Sequence, residues 1–102
     1  MRYAYEMGTT VGNENELTLR FVQNLMKKYY YSRDSARGLY ATFTWLVEEV
    51  GELAEALLSN NKEAIAEEIA DVLAWLSSVS NLVGIDIEDA FKKKYLNPEP
   101  PL

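Results

Sequence analysis

Two acidic stretches of the sequence carry carboxylates at helical spacing, and carboxylates placed in this way can hold a metal ion. The stretches are Glu48-Glu49-Val50-Gly51-Glu52 and Glu67-Glu68-Ile69-Ala70-Asp71. Residues three apart on an α-helix return to nearly the same face, so each stretch brings two carboxylates together. In both stretches the acids stand among large apolar side chains, where an unpaired negative charge is costly. We therefore expect a cation between them.

A helical projection at about 100° per residue selects four of these acids as inward-facing. Glu49 falls within the apolar arc of its helix and Glu52 at the border of that arc, while Glu68 and Asp71 stand in the arc of the next helix. Four such carboxylates without a cation would repel one another and lose hydration, which raises pKa values. The alternative is that they are solvated boundary residues of amphipathic helices, as acidic runs usually are.

The residue types that are missing narrow the chemistry. The chain contains no histidine and no cysteine, which excludes Ser-His-Asp and Cys-His catalysis, disulfides, and zinc held by histidine or thiolate. Oxygen ligands favour Mg²⁺, with Mn²⁺ as an alternative. The net charge of −6 disfavours binding to a nucleic-acid backbone. No apolar run is long enough for a bilayer, and we expect a cytoplasmic protein.

The elements that position these acids are all predicted to be helical, and nothing in the sequence predicts a strand. Residues 1–16 mix tyrosine, glycine and asparagine without a period, which indicates a flexible arm, and the proline-rich residues 98–102 indicate a tail. Between them, residues 17–97 are predicted to form one antiparallel bundle of about four helices. At 102 residues the chain buries a modest core, so self-association is expected.

Capping signals give the expected ends of the helices. Thr18 is predicted to cap a first helix that continues to about Tyr31, where the segment 33–38 indicates a turn. Asparagines after the second helix and Gly84 after the third are typical helix ends. The second and third helices are predicted at residues 40–58 and 62–83, and Asp86 is predicted to cap a fourth helix that continues to about Tyr95.

The second and third predicted helices resemble a known enzyme family. Residues 48–56 and 68–75 are similar to the Glu-Glu-x-x-Glu and Glu-x-x-Asp signature of MazG-type nucleotide pyrophosphohydrolases, and the likeness extends over about residues 17–97. The resemblance implies Mg²⁺-dependent cleavage of nucleoside triphosphates to monophosphate and pyrophosphate, in a house-cleaning role. It also implies a homodimer or homotetramer. Its metal ligands correspond to Glu49, Glu52, Glu68 and Asp71.

The resemblance also suggests catalytic and phosphate-binding residues. Glu48 or Glu52 would polarise the attacking water. Lys94 matches the lysine after the family's fourth helix, with Lys93 as the alternative, although both also suit a solvated helix C-terminus. Asn97 lies near a polar family position, with a spacing one residue short.

Aromatic residues provide candidates for contacts with the base. Trp45 and Trp75 each stand four residues from a proposed metal ligand, on the same helical face. They would stack on a base, or else belong to the core, which is the commoner use of tryptophan in an apolar arc. Arg33 and Arg37 would reach phosphates from the predicted turn, or else lie on the surface unpaired. A non-catalytic interaction or regulatory module with the same fold is the alternative function.

Overall fold

A computed structural model describes residues 16–96, and α-helices account for nearly all of them. The helices are α1 (Leu19–Arg37), α2 (Leu39–Ser59), α3 (Lys62–Val83) and α4 (Ile87–Tyr95). No strand occurs in this range, so the all-α prediction is confirmed. The predicted proline-rich tail, Asn97 and all of the predicted arm except Glu16 lie outside the described residues.

Helices α2 and α3 form an antiparallel hairpin joined by two asparagines. Asn60 adopts the left-handed conformation that ends α2, with φ 59°. The side chain of Asn61 then accepts a hydrogen bond from the backbone N–H of Ala64 at 3.1 Å and so caps α3. Helix α3 ends at Gly84, whose φ of 72° is a conformation that favours glycine. The predicted ends are confirmed, and the two acidic stretches lie on neighbouring helices.

Helix α1 is longer than the sequence predicted. It begins as expected, because the Thr18 hydroxyl accepts a hydrogen bond from the backbone N–H of Phe21 at 2.9 Å. The predicted turn over residues 33–38 is wrong, since the helix continues to Arg37 and ends at Gly38, with φ 99°. Asp34 lies on the buried face of this last turn, and tertiary contacts of that kind outweigh the weak helix propensity of serine and aspartate.

Helix α4 is fastened to α1 by one arginine that contacts three acids, an arrangement that we call the Arg20 clamp. The guanidinium lies 2.9 Å from the Asp86 carboxylate, 3.0 Å from Glu88 and 2.7 Å from Asp89. The hydrogen bond from the Arg20 side chain holds the pKa of Asp86 below its ordinary value. A hydrogen bond from the backbone N–H of Arg20 likewise lowers the pKa of Glu88. Asp86 also caps α4, as predicted.

Gln23 of α1 connects the middle of the bundle to the loop before α4 through hydrogen bonds. This buried side chain donates to the Asn81 side chain at 3.0 Å and to the Ile85 carbonyl at 2.8 Å. Its own oxygen accepts a hydrogen bond from the backbone N–H of Ile87 at 2.8 Å. Every polar atom of this amide therefore has a partner, which buried polar groups require.

The apolar arcs of α2 and α3 are not covered within one chain. Among residues 16–96, Ala56 is the one apolar residue that is buried. Several arc residues are about half exposed: Trp45 46%, Val50 50%, Leu57 58% and Ile69 55%. Large apolar side chains that stay exposed along two packed helices are typical of an interaction face.

None of the described helices alone has the length and apolar character needed to cross a bilayer. The pair α3 and α4 meets that test only when the two helices are taken together, and they are bent by 97° relative to each other.

Candidate metal centre and adjoining cavity

Glu49 of α2 and Glu68 and Asp71 of α3 form what we call the carboxylate cluster. One oxygen from each of the three side chains lies within 4.8 Å of the other two. Glu49 and Glu68 are partly buried, and Asp71 is exposed. The α2–α3 hairpin thus brings together three of the four carboxylates that the helical projection selected. Three carboxylate oxygens this close to one another are candidate ligands for one hard cation.

The electrostatics of the carboxylate cluster favour a cation. Burial raises the pKa of Glu49, and a hydrogen bond with Glu68 and the negative charges of Asp71, Glu68 and Glu52 raise it further. The Oε1 atom of Glu68 is buried and has no hydrogen-bond partner among the described residues. A divalent cation would relieve the repulsion and supply a partner for this oxygen, so the residues present fit a metal ion.

Neither Glu52 nor Glu48 is one of the three clustered carboxylates. Both side chains are exposed. Glu52 is not one of the three mutually close carboxylates, although its charge acts on Glu49. Its predicted role as a metal ligand, and the predicted role of either acid toward water, stay predictions.

A cavity of about 290 Å³ adjoins the carboxylate cluster, and Asp71 belongs to both. Its walls come from α1 and α3, which cross at this point. The lining residues are Met26, Tyr30, Arg33, Asp34 and Arg37 from α1 and Asp71, Ala74, Trp75 and Ser78 from α3. A cavity with aromatic walls and a few convergent polar groups is a typical ligand site.

The two predicted tryptophans stack on each other at the edge of this cavity. Their ring centroids are 5.9 Å apart and their planes differ by 18°. The guanidinium of Arg37 lies 5.1 Å from the centroid of the Trp75 ring. Trp75 lines the cavity, whereas Trp45 does not. Of the two, Trp75 is therefore the one placed to contact a molecule in the cavity.

Sequence reasoning missed the contribution of α1 to this site. It placed Arg33 and Arg37 in a turn, whereas both lie on a helix and line the cavity. Tyr30, Arg33, Asp34 and Arg37 follow the i, i+3, i+4, i+7 spacing of one helical face, and this pattern would have revealed them. Arg37 is not an unpaired surface residue, because it donates hydrogen bonds to Asp34 at 2.9 Å and to Thr42 at 3.3 Å.

The predicted lysines lie on α4, which packs mainly against α1. Both lysine side chains are exposed, and the Lys94 ammonium lies 5.5 Å from the centroid of the Tyr95 ring. The roles of Lys94 and Lys93 as phosphate contacts stay predictions, as does that of Asn97.

A comparison with protein-family models gives a match. A family model described as the MazG nucleotide pyrophosphohydrolase domain matches residues 37–97, which is more than half of the chain. The matched region includes α2, α3 and α4 and all three residues of the carboxylate cluster. A search of curated proteins found no match.

Proposed function

Since the chain belongs to the MazG nucleotide pyrophosphohydrolase domain family, we propose that it is a Mg²⁺-dependent enzyme that hydrolyses nucleoside triphosphates. The products are the nucleoside monophosphate and pyrophosphate, formed when water attacks the α-phosphorus and the bond to the β-phosphate oxygen breaks. One observation carries the proposal: a cluster of three carboxylates shares Asp71 with a cavity lined by arginines and aromatic rings.

The metal is proposed to bind between Glu49, Glu68 and Asp71, with Glu52 as an additional ligand. Mg²⁺ is the favoured ion and Mn²⁺ the alternative, because every donor is a carboxylate oxygen. Once bound, the ion would neutralise and orient the phosphate chain. Glu52 or Glu48 is proposed to accept the proton of the attacking water, since each is an exposed carboxylate on the helix that carries Glu49.

The nucleotide is proposed to lie with its phosphates at the carboxylate cluster and its nucleoside in the adjoining cavity. Arg33 and Arg37 line this cavity and bring positive charge to a region otherwise dominated by acids. Tyr30 and Trp75 offer aromatic surfaces to a base. Lys94, or else Lys93, is proposed to contact the phosphates from α4.

A second copy of the chain is proposed to cover the exposed apolar arcs. Trp45 and Val50 of α2 and Ile69 of α3 are each about half exposed, and they flank the acidic residues of the cluster. Burying this face would remove apolar surface from water and also shield the cluster, which strengthens its hold on a cation. We propose a homodimer or homotetramer in the cytoplasm, where nucleoside triphosphates are available.

Measurement of pyrophosphate release tests the proposed function. Purified protein is incubated with Mg²⁺ and a panel of ribo- and deoxyribonucleoside triphosphates, and both products are identified. We expect monophosphate and pyrophosphate, and we expect Glu68→Gln and Asp71→Asn to abolish their formation. Glu67→Gln is the matched control, because Glu67 is an exposed neighbour outside the cluster. Release of orthophosphate alone, or of neither product from any nucleotide, would contradict the proposal.

A further inference from the structure

Asp34 is a buried carboxylate that the proposed reaction does not use. Its residue is 3% exposed, and it lines the cavity between α1 and α3. The Oδ1 atom accepts a hydrogen bond from Arg37 at 2.9 Å. The Oδ2 atom is buried and has no hydrogen-bond partner among the described residues. Buried polar atoms are nearly always paired, so this oxygen needs a donor that the described part of the chain does not supply.

The surroundings of Asp34 hold its carboxylate in one position. Arg37 is itself fixed, because it also donates to the fully buried Thr42 hydroxyl and packs over the ring of Trp75. A carboxylate can accept hydrogen bonds on both of its oxygens, and Arg37 occupies only Oδ1 of Asp34. Oδ2 of Asp34 is therefore an acceptor, in a residue that lines the cavity, for which the described residues supply no donor.

We propose that Asp34 is a specificity residue of the nucleotide site and that its Oδ2 accepts a hydrogen bond from the bound nucleoside. The inference rests on the proposed function, because it takes the phosphates to lie at the carboxylate cluster. Asp71 belongs to the cluster and also lines the cavity, so phosphates bound there would leave the nucleoside in the cavity that Asp34 lines. The donor is an exocyclic amino group of the base. A sugar hydroxyl offers the same hydrogen-bond chemistry.

This assignment predicts which bases the enzyme prefers. Cytosine presents an amino donor where uracil presents a carbonyl acceptor, and adenine and hypoxanthine differ in the same way. An oxygen acceptor facing an acceptor-only carboxylate leaves both groups unpaired, and sites built around such a hydrogen bond reject the wrong partner strongly. The full-length protein is therefore expected to favour CTP over UTP and ATP over ITP, each by about tenfold or more in kcat/KM.

Asp34→Asn provides the decisive variant, because asparagine has nearly the same shape. Its carbonyl oxygen still accepts from Arg37, while its NH₂ group places a donor where Oδ2 was. The preference is expected to reverse, so that UTP exceeds CTP and ITP exceeds ATP. The assay measures kcat/KM for these four nucleotides and for dCTP with Mg²⁺. Calorimetric binding of the α,β-methylene analogues of CTP and UTP gives the same comparison without hydrolysis, and thermal unfolding shows whether the variant is folded.

Each result separates this inference from the proposed function. Reversal in Asp34→Asn assigns the donor to the base, whereas a change confined to the CTP to dCTP ratio assigns it to the sugar. Pyrophosphate release with equal kcat/KM for CTP, UTP, dCTP, ATP and ITP, or with ratios among them that Asp34→Asn leaves unchanged, overturns the inference and leaves the proposed function standing. The absence of any wild-type preference needs no variant, so it overturns the inference even if Asp34→Asn fails to fold. Lack of pyrophosphate release contradicts the function, and the analogue binding ratio then still tests Asp34.

Discussion

Replacing Glu49 by glutamine is expected to stabilise the metal-free protein and to remove its response to Mg²⁺. The raised pKa of Glu49 means that the folded chain binds this proton more tightly than the unfolded chain does. The stability that this tighter proton binding provides is fully present below the ordinary pKa of 4.5. It is lost as the pH rises through the higher pKa of the folded state. Glutamine carries no charge at any of these pH values. The difference in the free energy of unfolding between the variant and the wild type therefore grows with pH.

The size of the effect follows from the spacing of the three carboxylates. Two charges 4.8 Å apart repel by about 3.5 kcal/mol at an effective dielectric constant of about 20, and by about 1 kcal/mol in water. Glutamine removes two of the three repulsions in the cluster. Protonation of Glu49 limits the destabilisation of the wild type, because the carboxyl group can take up a proton instead of staying charged. Holding a proton at pH 7 on a carboxyl of ordinary pKa 4.5 costs about 3.4 kcal/mol. We therefore expect an increase of about 1–3 kcal/mol in the free energy of unfolding.

Thermal unfolding at one fixed protein concentration measures both effects. Without metal, Glu49→Gln is expected to raise the Tm at pH 7 by at least about 4 °C, and by less at pH 5. With Mg²⁺ at one hundred times its Kd, the wild-type protein should gain about 2.7 kcal/mol. The variant lacks one ligand charge and should gain little. Glu67→Gln has the same change in net charge and should behave as the wild type.

Two results would refute this reasoning. A metal-free Glu49→Gln variant that is no more stable than the wild type would show that the cluster carries no repulsion. Equal stabilisation of the wild type and the variant by Mg²⁺ would show that the ion binds elsewhere.

The remaining predictions concern the Arg20 clamp and the exposed apolar face. The hydrogen bond to Arg20 lowers the pKa of Asp86, so the charged carboxylate stabilises the folded protein above the ordinary pKa of 3.8. This stabilisation is lost as the pH falls through the lower pKa of the folded state. Arg20→Ala should therefore raise the pH at which acid unfolding begins, as followed by circular dichroism beside a Lys27→Ala control. Leu57→Asp, on the apolar face, should turn the oligomer into a monomer in sedimentation, whereas Ala66→Asp, elsewhere on the hairpin, should not. A folded monomer of the wild-type protein at micromolar concentration would contradict the oligomer.

The parts of the fold that depend on local chemistry were predictable from sequence. Thr18, Asn61 and Asp86 cap helices because a short polar side chain reaches the free N–H groups of the next turn. The end of α1 was not predictable in this way. Asp34 reads as a turn residue, and what keeps it helical is its burial against other helices and its pairing with Arg37, which no local pattern specifies.

The candidate site likewise has one part that local patterns predict and one part that depends on distant contacts. Glu49, Glu68 and Asp71 were found because the periodicity of two helices and a short turn fixes their relative positions. The cavity was missed because it depends on how α1 crosses α3, and that crossing is set by distant contacts such as the hydrogen bonds of Gln23. Self-association was expected because a chain of this size buries a modest core, but periodicity shows only that a face is apolar and not what covers it.

The two-residue turn between α2 and α3 bears on how the chain folds. Contacts across this hairpin are close in sequence, so little loop-closure entropy opposes them, whereas α1 reaches the loop before α4 over most of the chain. We expect the hairpin to form before α1 docks. The carboxylates of Glu49, Glu68 and Asp71 then meet before the arginines of α1 arrive, and their repulsion contributes to the folding barrier. We therefore expect a divalent cation to speed folding as well as to stabilise the folded protein.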